Sequence, residues 1–379
     1  MRVHIVDGKR RKNHWYPVYL TQHRLADMGI SVRMYDRIGP DVLDCDVLML
    51  TSRRHDELYG TMTDPAARAA SVAAIATKPS KLIWFDLRDS TGTPQFEVLP
   101  YVSLYVRQCL LRDMKLYNQP LYGGRIFSDY YHRHYGIVDH VNDKMDNQEE
   151  GFTPLDMTLA PRVVVGWDVA YDYRDPRLGL LGRLDKAVRK ALWLAADVPP
   201  PPPVGHAISP HRARHTDMAV MFSTGRYGRD TVAFQRKLAL QKVQGLPGTV
   251  FAGKVPRREF VARLCDAKIV LSCFGNGEIC FREHEAWLTG AAVMMCDMGH
   301  MRVWPDRYRD GETYRAVDWD FANLAAVYED LRGDEAGRLA LAEAGQDMMR
   351  QMFSKTGLDA FASRFAALAK GIDPDNSGT

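Results

Sequence analysis

No stretch of this 379-residue chain holds enough consecutive apolar residues to span a bilayer. The opening MRVHIVDGKRRKN joins a short strand-like apolar run to a block of charges, which is not the pattern of a secretory signal. Cysteine is scarce: there are six, none in a CxxC pair and most inside apolar runs. That excludes a zinc ribbon and argues against a disulfide framework; reduced core thiols of a cytoplasmic protein are expected. There is no HExxH, and no DxD run falls at a strand end, so no metal site is expected. His206, His211 and His215 are scattered and read as exposed side chains. Neither a Walker sequence nor G-x-G-x-x-G occurs; STGRYGRD at 223–230 lacks the P-loop Lys-Ser/Thr. Neither sign of charge dominates: 50 basic against 47 acidic residues leave +3, too little to argue for a nucleic-acid partner. No repeat at a solenoid period is found.

What is there is a soluble globular composition, 46% hydrophobic and 26% charged, in a chain long enough for two domains. Strands are expected at 2–6, 31–35, 47–51 and 82–85, with helices at 15–28 and 66–76. That alternation predicts an α/β, doubly wound parallel sheet. Ligands of such sheets sit beyond the carboxyl ends of the strands, which singles out the loops 7–14, 52–55 and 86–90. A further strand is expected at 103–106. The aromatic run at 127–136 reads as a loop packed by its own tyrosines, with carbohydrate stacking as the alternative. Residues 138–161 read as a surface excursion and 178–195 as an amphipathic helix. Five prolines at 199–203 favour a stiff boundary segment. Beyond it, strands at 218–222, 249–252, 269–273 and 292–296 alternate with helices, and three more helices, at 319–332, 334–352 and 361–369, close the chain.

The organising stretch is 269–300, strand, Gly-Asn-Gly turn, helix, strand. The two glycines allow positive φ or close approach of a ligand to bare amides. The following helix, expected over 278–289, places amides and dipole to favour an anion. At 100° per residue, Glu278, Arg282, Glu285 and Thr289 form one polar stripe, while Cys280, Phe281, Trp287 and Leu288 face the sheet. Arg282 offers a planar fork to a phosphate, and Glu285 can accept from two sugar hydroxyls. The plainer alternative is a solvated face with a weak i,i+3 ion pair.

Three loops converge if these strands are parallel: 223–230, 253–258 and 275–278. They bring Gly225, Arg226, Arg229, Lys254, Arg257, Gly275 and Gly277 together as a pocket of amides and cations for phosphate. Generic turn chemistry is the alternative. Candidate catalytic carboxylates are Asp89, with Asp86, after the fourth strand, and Asp230 in the 223–230 loop. Asp89 would act as a base. Asp230 would act as a nucleophile or merely cap the helix that follows. Lys9, Arg10 and His14 form a basic loop for an anionic acceptor or a membrane surface. His284 reads as a hydrogen-bonded core histidine.

The run FGNGEICFREHEAWLTGAAVMM resembles the donor-binding segment of nucleotide-sugar glycosyltransferases of the GT-B fold. The resemblance covers 249–331. Glu285, with Ala286, Gly290 and Ala291, matches the context of the glutamate that binds the nucleotide ribose. Many retaining members carry two glutamates with seven residues between them; here Glu278 and Glu285 have six, so only Glu285 is carried over. Phe281-Arg282 is similar to the branch with an F-R-x-x-E run. The resemblance implies two Rossmann-like domains facing a cleft: an acceptor domain at 1–205, a donor domain at 206–352, and a terminal helix at 353–379 crossing back. It implies metal-independent transfer, without a cofactor, from a nucleotide sugar to a glycan or lipid-linked acceptor. Alternatives are a Kdo-like transferase with a cytidine-monophosphate donor, a nucleotide-sugar epimerase or hydrolase, and an inactive sugar-binding module.

Overall fold

A computed structural model describes residues 1–7, 14–92, 94–140, 152–172, 207–224, 229–251, 253 and 255–375. The first sheet contains β1 (Arg2–Val6), β2 (Ser31–Tyr35), β3 (Val47–Thr51), β4 (Lys81–Asp86), β5 (Leu104–Arg107) and, after the short β6 (Cys109–Leu111), β7 (Val163–Val165). Its order is β2-β1-β3-β4-β5-β7, and every pairing is parallel. Central strands such as VLMLT are buried at every position, because helices cover both faces. The second sheet contains β8 (Thr216–Val220), β9 (Thr249–Phe251), β10 (Ala267–Ser272) and β11 (Ala292–Cys296). After the short β12 (Met301–Val303) it is completed by β13 (Arg315–Val317). Its order is β13-β11-β10-β8-β9, again wholly parallel. Two doubly wound, Rossmann-like sheets are therefore present, as the strand–helix alternation predicts.

Several elements differ from expectation: the loop singled out at 52–55 is the start of a helix, Ser52–Tyr59, and the helix expected at 319–332 begins only at Leu324. The single helix expected at 15–28 is two, Tyr16–Leu20 and Gln22–Asp27. The Thr21 hydroxyl between them donates to the Pro17 carbonyl at 2.8 Å. The aromatic run is not a loop but a helix, Ile126–Tyr135, ended by Gly136 at φ 65°. The last helix starts earlier, Lys355–Ala369, capped by Ser354. The expected helix at 178–195 and the proline run lie outside the described residues. Among the described residues no helix is long and apolar enough to cross a membrane.

The domains are stitched together at several places. β6 of the first pairs antiparallel with β12 of the second. The helix Lys355–Ala369 lies against the first domain: Arg364 donates from Nε to the Gly166 carbonyl at 3.2 Å, and Phe361 packs edge-on to Trp167. One buried apolar cluster runs through both sheets and this helix.

Candidate functional site

The second sheet reverses its strand order between β8 and β10, and a crevice at their carboxyl ends is where an open α/β sheet binds ligands. Two arginines gather there around Phe222, the second residue after β8. Arg236 and Arg282 lie over its ring, 5.8 and 5.4 Å from the centroid. Arg236, on the helix Asp230–Val243, is buried; it donates to the Ser223 carbonyl at 3.0 Å and to the Phe274 carbonyl at 3.1 Å. Arg282 uses only Nη1, toward the Ser272 hydroxyl at 3.0 Å and the Cys273 carbonyl at 3.3 Å. Its Nε and Nη2 make no hydrogen bond among the described residues. One turn along the helix Phe281–Leu288, Glu285 is 8% exposed and accepts from Arg257, at the start of the helix Arg257–Asp266. Arg257, expected in a phosphate pocket with the 223–230 and 275–278 loops, therefore meets Glu285, one turn along the helix from Arg282. Phe222 and Arg236 carry no such signal in the sequence: one reads as the last residue of the strand expected at 218–222, the other lies inside a weakly patterned helix.

The glycine turn differs in its role. Neither Gly275 nor Gly277 has positive φ. The Gly275 amide donates to the Gly277 carbonyl at 2.9 Å. Gly277 is needed for close approach: a Cβ there would lie 1.6 Å from the Asp89 carbonyl oxygen. What comes close is the first domain's loop after β4, and Glu278 enters it. The Glu278 carboxylate, 1% exposed, accepts from the Thr91 hydroxyl at 2.6 Å, the Thr91 amide at 3.1 Å and the Ser90 hydroxyl at 3.2 Å. Burial raises its pKa, but His300, 3.8 Å away, and Thr91 outweigh that and leave it below the ordinary range. Arg107 supports the loop from beneath, donating to the Thr91 and Gly92 carbonyls at 3.1 Å each, beside buried Asp86. Glu278, expected at a donor, is here a peg between domains.

The helix over this segment begins at Phe281, three residues later than expected. Cys280 is its N-cap, in a capping box with Glu283. The shift turns the helix: Phe281, expected against the sheet, is 46% exposed, while Glu283 and His284 are buried. Burial pushes the Glu283 pKa up to about 7 and holds His284 well below its ordinary value. Neither ring nitrogen of His284 has a partner among the described residues, so it is a core histidine without the expected hydrogen bond.

The catalytic candidates are placed apart. Asp89 is exposed, with its backbone against Gly277. Asp86 is fully buried, accepts from the Tyr105 hydroxyl at 2.7 Å and lies 3.5 Å from Arg107, so it supports the fold. Asp230 does not cap its helix; its Oδ2 accepts from the His140 amide and ring, both at 2.9 Å. The cap comes from the other domain, where Asp139 accepts from the Thr231 amide at 2.7 Å. Arg229 is buried and lies 3.3 Å from Asp139. His14, expected in a basic loop that meets an anionic acceptor, is instead buried and stacks on Trp167 at 5.2 Å. Gly225, Arg226, Lys254, Lys9 and Arg10 lie outside the described residues. His211 and His215 are exposed, the latter 2.8 Å from Asp266; His206 lies outside the described residues.

No family model and no curated protein matches the chain. Solved structures of similar fold do. The UDP-GlcNAc 2-epimerase from Neisseria meningitidis bound to UDP-GlcNAc is 13% identical, with a TM-score of 0.43, over 97% of this chain and 99% of that one. An alpha-glucosyltransferase in complex with UDP is 10% identical, with a TM-score of 0.45, over 98% and 100%. The C-terminal domain of the glycosyl transferase group 1 family protein LpcC from Francisella tularensis is 16% identical, with a TM-score of 0.28, over 44% and 93%. Likenesses this distant carry no argument about activity, which has to come from the residues.

Proposed function

We propose that the chain is a glycosyltransferase that takes its sugar from a nucleotide-sugar donor bound at the carboxyl ends of β8 and β10. The observation that supports this reading is Arg282, a cation at the switch point that lies over Phe222 and whose Nε and Nη2 make no hydrogen bond among the described residues. Beside it stands Glu285, a nearly buried carboxylate. Together they offer a fork for a phosphate and an acceptor for ribose hydroxyls. The FREHEAWLTGA context supports the same assignment. The surrounding cations offset the charge on the departing phosphate. The transferred sugar then lies toward the first domain, where Asp89 is an exposed carboxylate at the interface and is proposed as the base toward an acceptor hydroxyl. Asp230 is the nucleophile under the retaining alternative.

The test is release of nucleoside phosphate from a panel of nucleotide sugars, with and without a pooled glycan or glycolipid acceptor. Acceptor-dependent release with a sugar-elongated product supports transfer. Conversion of the donor to an isomer, with no acceptor consumed, contradicts it and points to an epimerase.

A further inference from the structure

Resting on the donor reading above, we propose that Ser272 and Glu283 are positioning residues, which turn the Arg282 guanidinium into the orientation in which it meets the donor's phosphate. Arg282 is a long side chain, only partly buried, and such a side chain loses affinity unless its rotamers are restricted before the ligand arrives. The Phe222 ring centroid lies 5.4 Å from the guanidinium carbon and restricts it from one side, but a ring face makes no directional bond. Direction comes from the strand. Nη1 donates to the hydroxyl of Ser272, the last residue of β10, at 3.0 Å, and to the Cys273 carbonyl at 3.3 Å. With Nη1 committed there, Nε and Nη2 remain, and these two share one edge of the planar group, the edge that makes a bidentate contact with an oxyanion.

Ser272 is itself held. A serine hydroxyl has one proton and two lone pairs, so what it offers Arg282 depends on its other partner. That partner is Glu283: Ser272 donates to Oε2 at 3.3 Å. Glu283 Oε1 is fixed in turn by the Cys280 amide and by the Tyr308 hydroxyl, the latter at 3.3 Å. The capping box uses Oε1 alone, and a capping glutamate is free to keep its second oxygen in water. Here Ser272 is 1% and Glu283 0% exposed, a desolvation cost that capping does not require. That burial is explained if Oε2 is there to hold Ser272. The link survives a change of protonation: ionised Glu283 accepts from Ser272, and protonated Glu283 donates to it. Either way one Oγ lone pair is left for Arg282.

A double-mutant cycle on nucleotide affinity tests this on the full chain. Uridine, guanosine and cytidine diphosphates are titrated calorimetrically into wild type, and the tightest binder is carried through the cycle. Ser272→Ala removes the hydroxyl with little change of volume; the Cys273 carbonyl still holds Nη1, so the loss is partial. It is expected to weaken binding about three- to tenfold beside Arg282. Beside Arg282→Lys, which has no planar fork to orient, the same substitution should cost less than about twofold. Glu283→Gln serves if Ser272→Ala does not fold, with a loss of about two- to threefold that again vanishes beside Arg282→Lys. A residue that only supports the fold would lower the urea midpoint and weaken binding by the same factor in both backgrounds. Equal losses in the two backgrounds therefore overturn the proposal. So does unchanged affinity in Ser272→Ala while Arg282→Lys weakens binding, and in that case the donor reading stands. If none of the three nucleotides binds wild type, or Arg282→Lys binds as wild type does, the donor reading fails and takes the positioning pair with it.

Discussion

Replacing Gly277 with alanine places a methyl carbon 1.6 Å from the Asp89 carbonyl oxygen and 2.3 Å from its carbonyl carbon. Both are backbone atoms, so no side chain can rotate aside. Restoring ordinary contact needs the two loops to separate by about 2 Å. That displacement breaks the 2.6 Å contact from the Thr91 hydroxyl to Glu278 and leaves a buried carboxylate short of donors. Overpacking costs about 1–3 kcal/mol. Losing a hydrogen bond to a charged group costs about 1.5–3 kcal/mol more. Gly277→Ala is therefore expected to lose about 3–5 kcal/mol, read as a lower urea midpoint. Gly275→Ala is the comparison: the tightest contact of its Cβ is the Cys280 sulfur at 3.0 Å, a softer neighbour, and the next, Arg236 Nη2 at 3.7 Å, is ordinary, so the loss should be much smaller. If the two variants unfold at the same midpoint, the close approach of glycine turn and first-domain loop is wrong.

Glu285→Gln should weaken donor binding by roughly tenfold to a hundredfold with little change in melting temperature; a large stability loss with unchanged affinity would make the residue structural. Glu283 gives a pH signature. Its folded pKa of about 7 lies above the ordinary 4.5, so the native state holds the proton more tightly. Its contribution to stability is full below about pH 4.5 and is lost as pH rises through 7, a swing of roughly 3 kcal/mol. Glu283→Gln should flatten that part of the stability profile; an unchanged profile would show that Glu283 is ionised in the fold. For the catalytic carboxylates, Asp89→Asn should slow transfer with donor affinity preserved. A covalent sugar adduct mapped to Asp230 by intact-protein mass spectrometry would exclude Asp89 as the sole actor.

Much of the architecture was legible because it is local. Short apolar runs such as VLMLT and AVMMC, bounded by polar or glycine turns and alternating with helices, read as strands covered on both faces. The stripe of Arg282 and Glu285 was legible for the same reason. What the sequence hid was contact between distant segments. Glu278 meets Thr91 across 187 positions, and Asp139 caps a helix 92 positions ahead. Nothing near Glu278 in the chain distinguishes a carboxylate aimed at a ligand from one aimed at another domain. The onset of the helix at Phe281 was misjudged because a cysteine is a poor cap signal. The capping box with Glu283, three residues on, was the better clue. Arg236 gave no signal at all, since an arginine inside a helix is normally solvated.

The most direct test of the central claim is the calorimetric affinity of uridine, guanosine and cytidine diphosphates, and of cytidine monophosphate, for wild type and Arg282→Lys. Lysine keeps the charge but loses the planar fork. If a nucleotide phosphate sits at the ends of β8 and β10, at least one of the four binds wild type, and the substitution weakens it by about tenfold. Absence of binding by all four, or a binder whose affinity Arg282→Lys leaves untouched, would contradict a donor site there.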